Sequence, residues 1–328
     1  MEIQSNRLTH RIRGALCAHA RELDRAIGPL AGARLTGVAC AVAAMAIASP
    51  AGAQAVQRNA PAAQAVSATA AAPSETDGIV TADTLEARLA ALPAGPDKDA
   101  VMLGYRLTVD TPHYAPGHVP AGAMSCASCH IGAGTTPHAS PWYGMIGVTP
   151  AYTARSASVE SLAQRINNCF RRSENGVPLA LDSAEMNAML AYMTFVSRGV
   201  ESGAFGPGRG MGKVAGAGKL TPDPVHGKAV YAERCASCHG ADGQGMQAGG
   251  RYVFPPLWGD ASFNIGASMA RINTAAAFIK HNMPLGNATL ADQEALDVAA
   301  YVTHQPRPDF AGKEHDWPNG GKPSDARY

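Results

Sequence analysis

The pattern of apolar and polar positions separates a leader, a featureless stretch and two periodic halves. Residues 35–48 (LTGVACAVAAMAIA) form an apolar run of signal-peptide length, preceded by Arg34 and followed by the small-x-small triplet Ala51-Gly52-Ala53. This predicts a signal peptide over 1–53, cleaved on export to the periplasm. Residues 54–78 (QAVQRNAPAAQAVSATAAAPSETDG) are Ala-rich with scattered Pro, Ser and Gln and have no apolar period, which predicts a flexible linker. Helical spacing then appears in pieces. Val159, Leu162, Ile166, Cys169 and Phe170 follow a possible cap at Ser158 and stop at Asn175-Gly176, so Cys169 reads as part of a buried stripe near a helix end. Val230 and Tyr231 anchor a helix over 227–234, and Leu296, Ala299, Ala300 and Val302 anchor another over 294–303. The stretch 130–156 is rich in Gly, Pro, Thr and Ser and predicts a loop ordered by wrapping something. No later run of eighteen apolar residues occurs, so no membrane span is expected in the mature chain.

A Gly-rich break at 203–219 reads as an interdomain linker between residues 79–202 and 220–328, and the two halves follow one plan. Each has the pentapeptide CASCH early, at Cys126 to His130 and at Cys235 to His239. Each closes on a helical segment with an Ala-Tyr-x-Thr signature, Ala191 to Thr194 and Ala300 to Thr303. Between these landmarks each half has a soft sulfur residue, Cys169 in the first and Met283 in the second.

With 328 residues, 46% hydrophobic and 16% charged, the chain can bury a sizeable core. Removing 1–53 leaves 21 bases against 23 acids, a balance that gives no reason to expect nucleic acid or a membrane surface as partner. It also removes Cys17 and Cys40, leaving five cysteines in an oxidising compartment, of which Cys169 has no neighbour to pair with.

CxxCH has a specific chemical reading. Two thiols one helical turn apart add to the vinyl groups of haem, and the adjoining histidine ligates iron. The two copies predict two covalently bound c-type haems, attached through Cys126, Cys129, Cys235 and Cys238, with His130 and His239 as proximal ligands. The second half resembles a class I cytochrome c, in which a methionine before proline suits a distal ligand. Met283 fits this best, with Met269 and the nearby His281 as competitors. In the first half, Cys169 occupies the corresponding place. Arg165 and Ser173, four residues to either side, share its helical face, and Arg172 is three residues on. Cations near a thiol favour the thiolate that iron binds, although basic residues at a helix end also complement the macrodipole in solvent. A thiolate ringed by arginines suits an anionic sulfur substrate, whose charge guanidinium forks match and whose sulfur joins the cysteine sulfur.

These residues carry a family resemblance. The stretches RINNCFRRSENG (165–176), the two CASCH motifs, FPPLWGDASFNIGASM (254–269), FIKHNMPLG (278–286) and the tail DWPNGGKP (316–323) resemble dihaem thiosulfate dehydrogenases over the chain from about residue 85 to its end. The resemblance implies a mainly α fold of two class I cytochrome c-like haem domains with long irregular loops. It implies oxidative coupling of two thiosulfates to tetrathionate, with electrons passing from a His/Cys-ligated haem to a His/Met-ligated haem and on to a soluble acceptor such as a small cytochrome c. It also implies that Cys169 is the distal ligand of the active-site haem, with Arg155, Arg165 and Ser173 forming the anion pocket. Where some members have a lysine before the methionine, this chain has Asn282. A non-catalytic dihaem carrier, with Cys169 only setting a potential, is the rival reading.

Overall fold

The computed structural model describes residues 78–328; the leader and all of the linker except Gly78 lie outside the described residues. The fold is mainly helical. In the first half, α1 spans Leu85–Ala90, α2 Pro96–Val109, α3 Leu162–Arg172 and α4 Ala184–Val196. The second half has α5 (Pro224–Arg234), α6 (Ile272–Asn282) and α7 (Asp292–His304). Two antiparallel hairpins complete it. β1 (Ala151–Thr153) pairs with β2 (Ser158–Glu160), and β3 (Met246–Ala248) pairs with β4 (Arg251–Phe254).

The shared plan of the halves is visible in how the first long helix meets the last. A Cβ on Gly104 of α2 would lie 2.1 Å from the Ala188 carbonyl of α4, and one on Gly227 of α5 would lie 2.0 Å from the Asp297 carbonyl of α7. Glycine is required at both crossings because the backbones touch. The tyrosines of the repeated signature lie on these closing helices. Tyr192 meets Tyr105 edge-on at 5.8 Å between ring centroids, and Tyr301 meets Tyr231 at 5.5 Å. The first core includes Leu107, Phe170, Met186, Met189 and Tyr192; the second includes Tyr231, Leu290, Val298 and Val302, where Val230 and Tyr231 are buried as the sequence pattern predicts. A smaller cluster joins the halves, placing Met124 against Phe263, Ala267 and Ala270.

The segment that carries Cys169 departs from its sequence reading. Ser158 does not cap a helix. It opens β2, whose Val159 faces Tyr152 across the hairpin and is 63% exposed. The cap is Ser161, which accepts from the Gln164 backbone while the Gln164 side chain accepts from the Ser161 N–H at 2.8 Å. This reciprocal box satisfies two orphan donors, so it wins over the earlier serine. Leu162, Ile166 and Phe170 then form the buried stripe, and Cys169 lies beside it, exposed.

At the surface of the second half, Asp297 ties the start of α5 to α7. Its buried carboxylate accepts from the Asp223 N–H at 2.8 Å, from Gln293 and from the His226 ring at 2.8 Å. Burial works to raise the Asp297 pKa, but these bonds prevail and lower it, while the Asp297 bond raises that of His226. The His226 contribution to stability is therefore full below about pH 6.5 and lost as pH rises through its raised folded value; the Asp297 contribution is full above about pH 4 and lost as pH falls through its lowered one. Denaturation midpoints should fall from pH 6 to pH 9 in the wild type, as judged relative to His226→Gln, which should lack that part of the decline.

Candidate active site

Helix α3 ends where the second half grips it. Its last carbonyls would lack helical partners, and Asn264 supplies them: its backbone N–H donates to the Arg172 carbonyl at 3.0 Å and its side chain to the Arg171 carbonyl at 2.8 Å. The Ser173 N–H donates to the Cys169 carbonyl at 2.7 Å, placing Ser173 half-buried one turn beyond the cysteine. Arg165 lies one turn before it and reaches Thr153 Oγ1 of β1 through Nη2 at 3.3 Å. The buried Nε–H groups of Arg165 and Arg172, on either side of Cys169 along the helix, have no acceptor in the protein. Such unspent donors suit an anion.

Arg155 comes from the turn between β1 and β2, and its Nη1 donates to the Gly266 carbonyl at 2.8 Å. Arg172 also reaches that carbonyl, at 3.3 Å. Arg172 is thus no solvated helix end: its side chain is 11% exposed and forked onto Asp316. Arg155 and Arg172 are the cations that act on the Cys169 sulfur, and both work to lower its pKa. They do not prevail. Cys169 is exposed yet densely surrounded, and loss of hydration pushes its thiol up to about 11, with the Glu174 charge acting in the same direction. The arginines thus favour the thiolate, as the sequence suggests, but loss of hydration outweighs them in the free thiol. Coordination to a metal would reverse this balance, since a coordinating thiol is deprotonated outright.

Glu174 is a site residue the sequence did not single out. Burial pushes its carboxyl up to about 8, Oε1 lies 3.4 Å from Thr111 Oγ1, and Oε2 has no partner. No motif marks it, since it follows the helix and its neighbours come from residue 111 and from Cys126.

Both CASCH motifs fit covalent haem. The four thiols of Cys126, Cys129, Cys235 and Cys238 are free, so none is consumed by a disulfide. The His130 Nδ1 bonds the Ser140 carbonyl at 2.8 Å and the His239 Nδ1 bonds the Pro255 carbonyl at 2.9 Å. A backbone bond at Nδ1 fixes each ring and leaves Nε2 available to a metal. Burial lowers the pKa of both histidines, which favours the neutral, ligating form. The stretch predicted as a loop packs Ser140 and Trp142 on its own His130, with the Trp142 ring 5.0 Å away, and its end pairs as β1.

Met283 follows α6 directly, its N–H donating to the Ile279 carbonyl at 2.9 Å, and is half-buried. Met269 packs against the Met124 and Phe263 cluster instead. The His281 ring stacks on His138 at 4.3 Å, and its Nε2 contacts the Lys213 carbonyl at 3.3 Å. Among the described residues no group of three His, Cys, Asp or Glu side chains forms a separate metal site, and no helix is long and apolar enough to cross a membrane.

Comparison with known proteins gives matches over both halves. Residues 118–201 match the SoxA/TsdA cytochrome c domain family and residues 224–306 match the cytochrome c family. A thiosulfate dehydrogenase of Psychrobacter arcticus is 41% identical over 277 residues, which is 84% of this chain and 83% of that protein. The one from Allochromatium vinosum is 48% identical over 227 residues, covering 67% and 83%. Among solved structures, the thiosulfate dehydrogenase (TsdBA) from Marichromatium purpuratum superposes with a TM-score of 0.64 at 39% identity, over 68% of this chain. The chain spans about half the length of that protein, 49%.

Proposed function

Because this chain belongs to the thiosulfate dehydrogenase family of dihaem c-type cytochromes, we propose that it couples two thiosulfates to tetrathionate in the periplasm, reversibly, after export by the leader over 1–53. The observation that carries this reading is an exposed thiol, Cys169, under the charges of two arginines and flanked along its helix by two guanidinium N–H groups with no protein acceptor.

Two haems would be held through Cys126 and Cys129 and through Cys235 and Cys238, with His130 and Cys169 available to ligate the first iron and His239 and Met283 the second. The placement of Met269 in an apolar cluster and of His281 on His138 supports Met283. When bound, the haems take up electrons one at a time and release them to an external acceptor, for which a small soluble cytochrome c is suited.

The chain's own residues bind and orient. Arg155, Arg165 and Ser173 hold the sulfonate end of thiosulfate, so that its terminal sulfur faces Cys169 Sγ. A sulfur–sulfur bond forms between that terminal sulfur and deprotonated Sγ, and two electrons leave, giving a cysteinyl thiosulfonate. The terminal sulfur of a second thiosulfate attacks the sulfur attached to Cys169. The Cys169 bond breaks, its sulfur regains the electron pair, and tetrathionate departs. No proton is exchanged with water in the net reaction, so the arginines act by charge and position rather than by acid–base transfer.

The adduct gives the test. Holoprotein incubated with tetrathionate and no reductant should carry one thiosulfate mass on the peptide containing Cys169, removed by added thiosulfate. An unmodified Cys169 peptide under conditions that support turnover contradicts the covalent route.

A further inference from the structure

A carboxylate from the far end of the chain, Asp316, meets two of the arginines near Cys169. Arg172 donates from Nη1 and Nη2 to the two oxygens of Asp316, both at 2.7 Å, and the Asp316 side chain is 5% exposed. Arg155 Nε lies 3.9 Å from the same carboxylate. The residue after Asp316 holds Arg155 in turn: the Trp317 N–H donates to the Arg155 carbonyl at 2.7 Å, and the Arg155 guanidinium lies 5.1 Å from the centre of the Trp317 ring. Tyr328, the last residue, donates to Asp316 as well. Both arginines reach the shared Gly266 carbonyl, and both charges bear on Cys169.

Two guanidiniums held this close repel each other unless a carboxylate stands between them. The bidentate bond uses the fork of Arg172 and fixes its plane, leaving Nε–H as its unspent donor. One carboxylate against two arginines also leaves one positive charge for a substrate anion.

Resting on the thiosulfate reading above, we propose that Asp316 is a positioning residue of the thiosulfate site, acting through Arg172 and Arg155, so that the C-terminal segment 316–328 of the second half completes the anion pocket of the first. A purely structural role would be to pin the tail, and that role predicts lost stability without lost affinity.

The test uses the dihaem holoprotein. Asp316→Asn, which keeps the shape and removes the charge, should raise KM for thiosulfate about tenfold or more while kcat stays within about threefold. Calorimetric titration of the fully reduced protein with thiosulfate, where oxidative turnover is impossible, should show the same loss of affinity, and Asp316→Glu should recover most of it. Arg172→Lys keeps the charge but not the fork and should also lose affinity, with the double variant losing clearly less than the two single losses combined. Wild-type affinity in reduced Asp316→Asn, or additive losses in the double variant, would overturn the proposal, as would a lowered Tm and kcat with affinity unchanged. A wild-type protein that neither binds nor oxidises thiosulfate removes the underlying reading, and this inference with it.

Discussion

Cys169→Met should keep both haems and the fold but lose thiosulfate oxidation by about three orders of magnitude or more. The side chain sits beside the buried stripe of α3, not in it, so the core contacts of Leu162, Ile166 and Phe170 are not at stake. Methionine can still ligate iron, and electrons can still be exchanged with small reductants. It cannot form a neutral sulfur–sulfur bond with thiosulfate or depart as a thiolate. Steady-state assays with thiosulfate, alongside haem content and reducibility by dithionite, separate chemistry from electron transfer. Turnover retained in this variant would leave Cys169 as a tuning ligand and favour the carrier reading.

The double substitution Cys126→Ser with Cys129→Ser should halve the haem content and abolish turnover, while the second haem stays attached. Each half has its own CASCH motif, its own backbone carbonyl on the histidine Nδ1 and its own apolar cluster, so attachment in the second half does not depend on the first. The first half should also lose helicity. Ser140 and Trp142 pack on His130, which adjoins the two attachment thiols, so this loop would lose its anchor with the haem. Pyridine haemochrome after acid extraction gives the count. A wild-type content of one, or an unchanged content in the variant, would contradict the assignment of both motifs.

Much of this molecule was legible because its signals are local. Two CASCH pentapeptides and two tyrosine-bearing closing helices repeat in order, and each fixes its meaning within a few residues. The same locality explains the misplacements. Ser158 and Ser161 both precede an apolar period, and the choice between them fell to Gln164, whose side chain closes the box, and to the pairing of Val159 with Tyr152. The sequence placed Arg172 among the cations near Cys169, but not its partner, since Asp316 lies 144 residues away in the chain. Glu174 carried no signal, since nothing in its own segment shows that its carboxyl is buried. The tail motif DWPNGGKP was visible as a family feature, but its purpose depends on the fold that brings Asp316 and Trp317 to Arg155 and Arg172.

The most direct measurement mixes purified dihaem protein with thiosulfate and ferricyanide, and follows acceptor and product together. The expected result is thiosulfate-dependent reduction of two ferricyanides for each tetrathionate formed and each pair of thiosulfates consumed. Haems that are reducible by dithionite, with no reduction of ferricyanide on adding thiosulfate, would contradict the proposed activity.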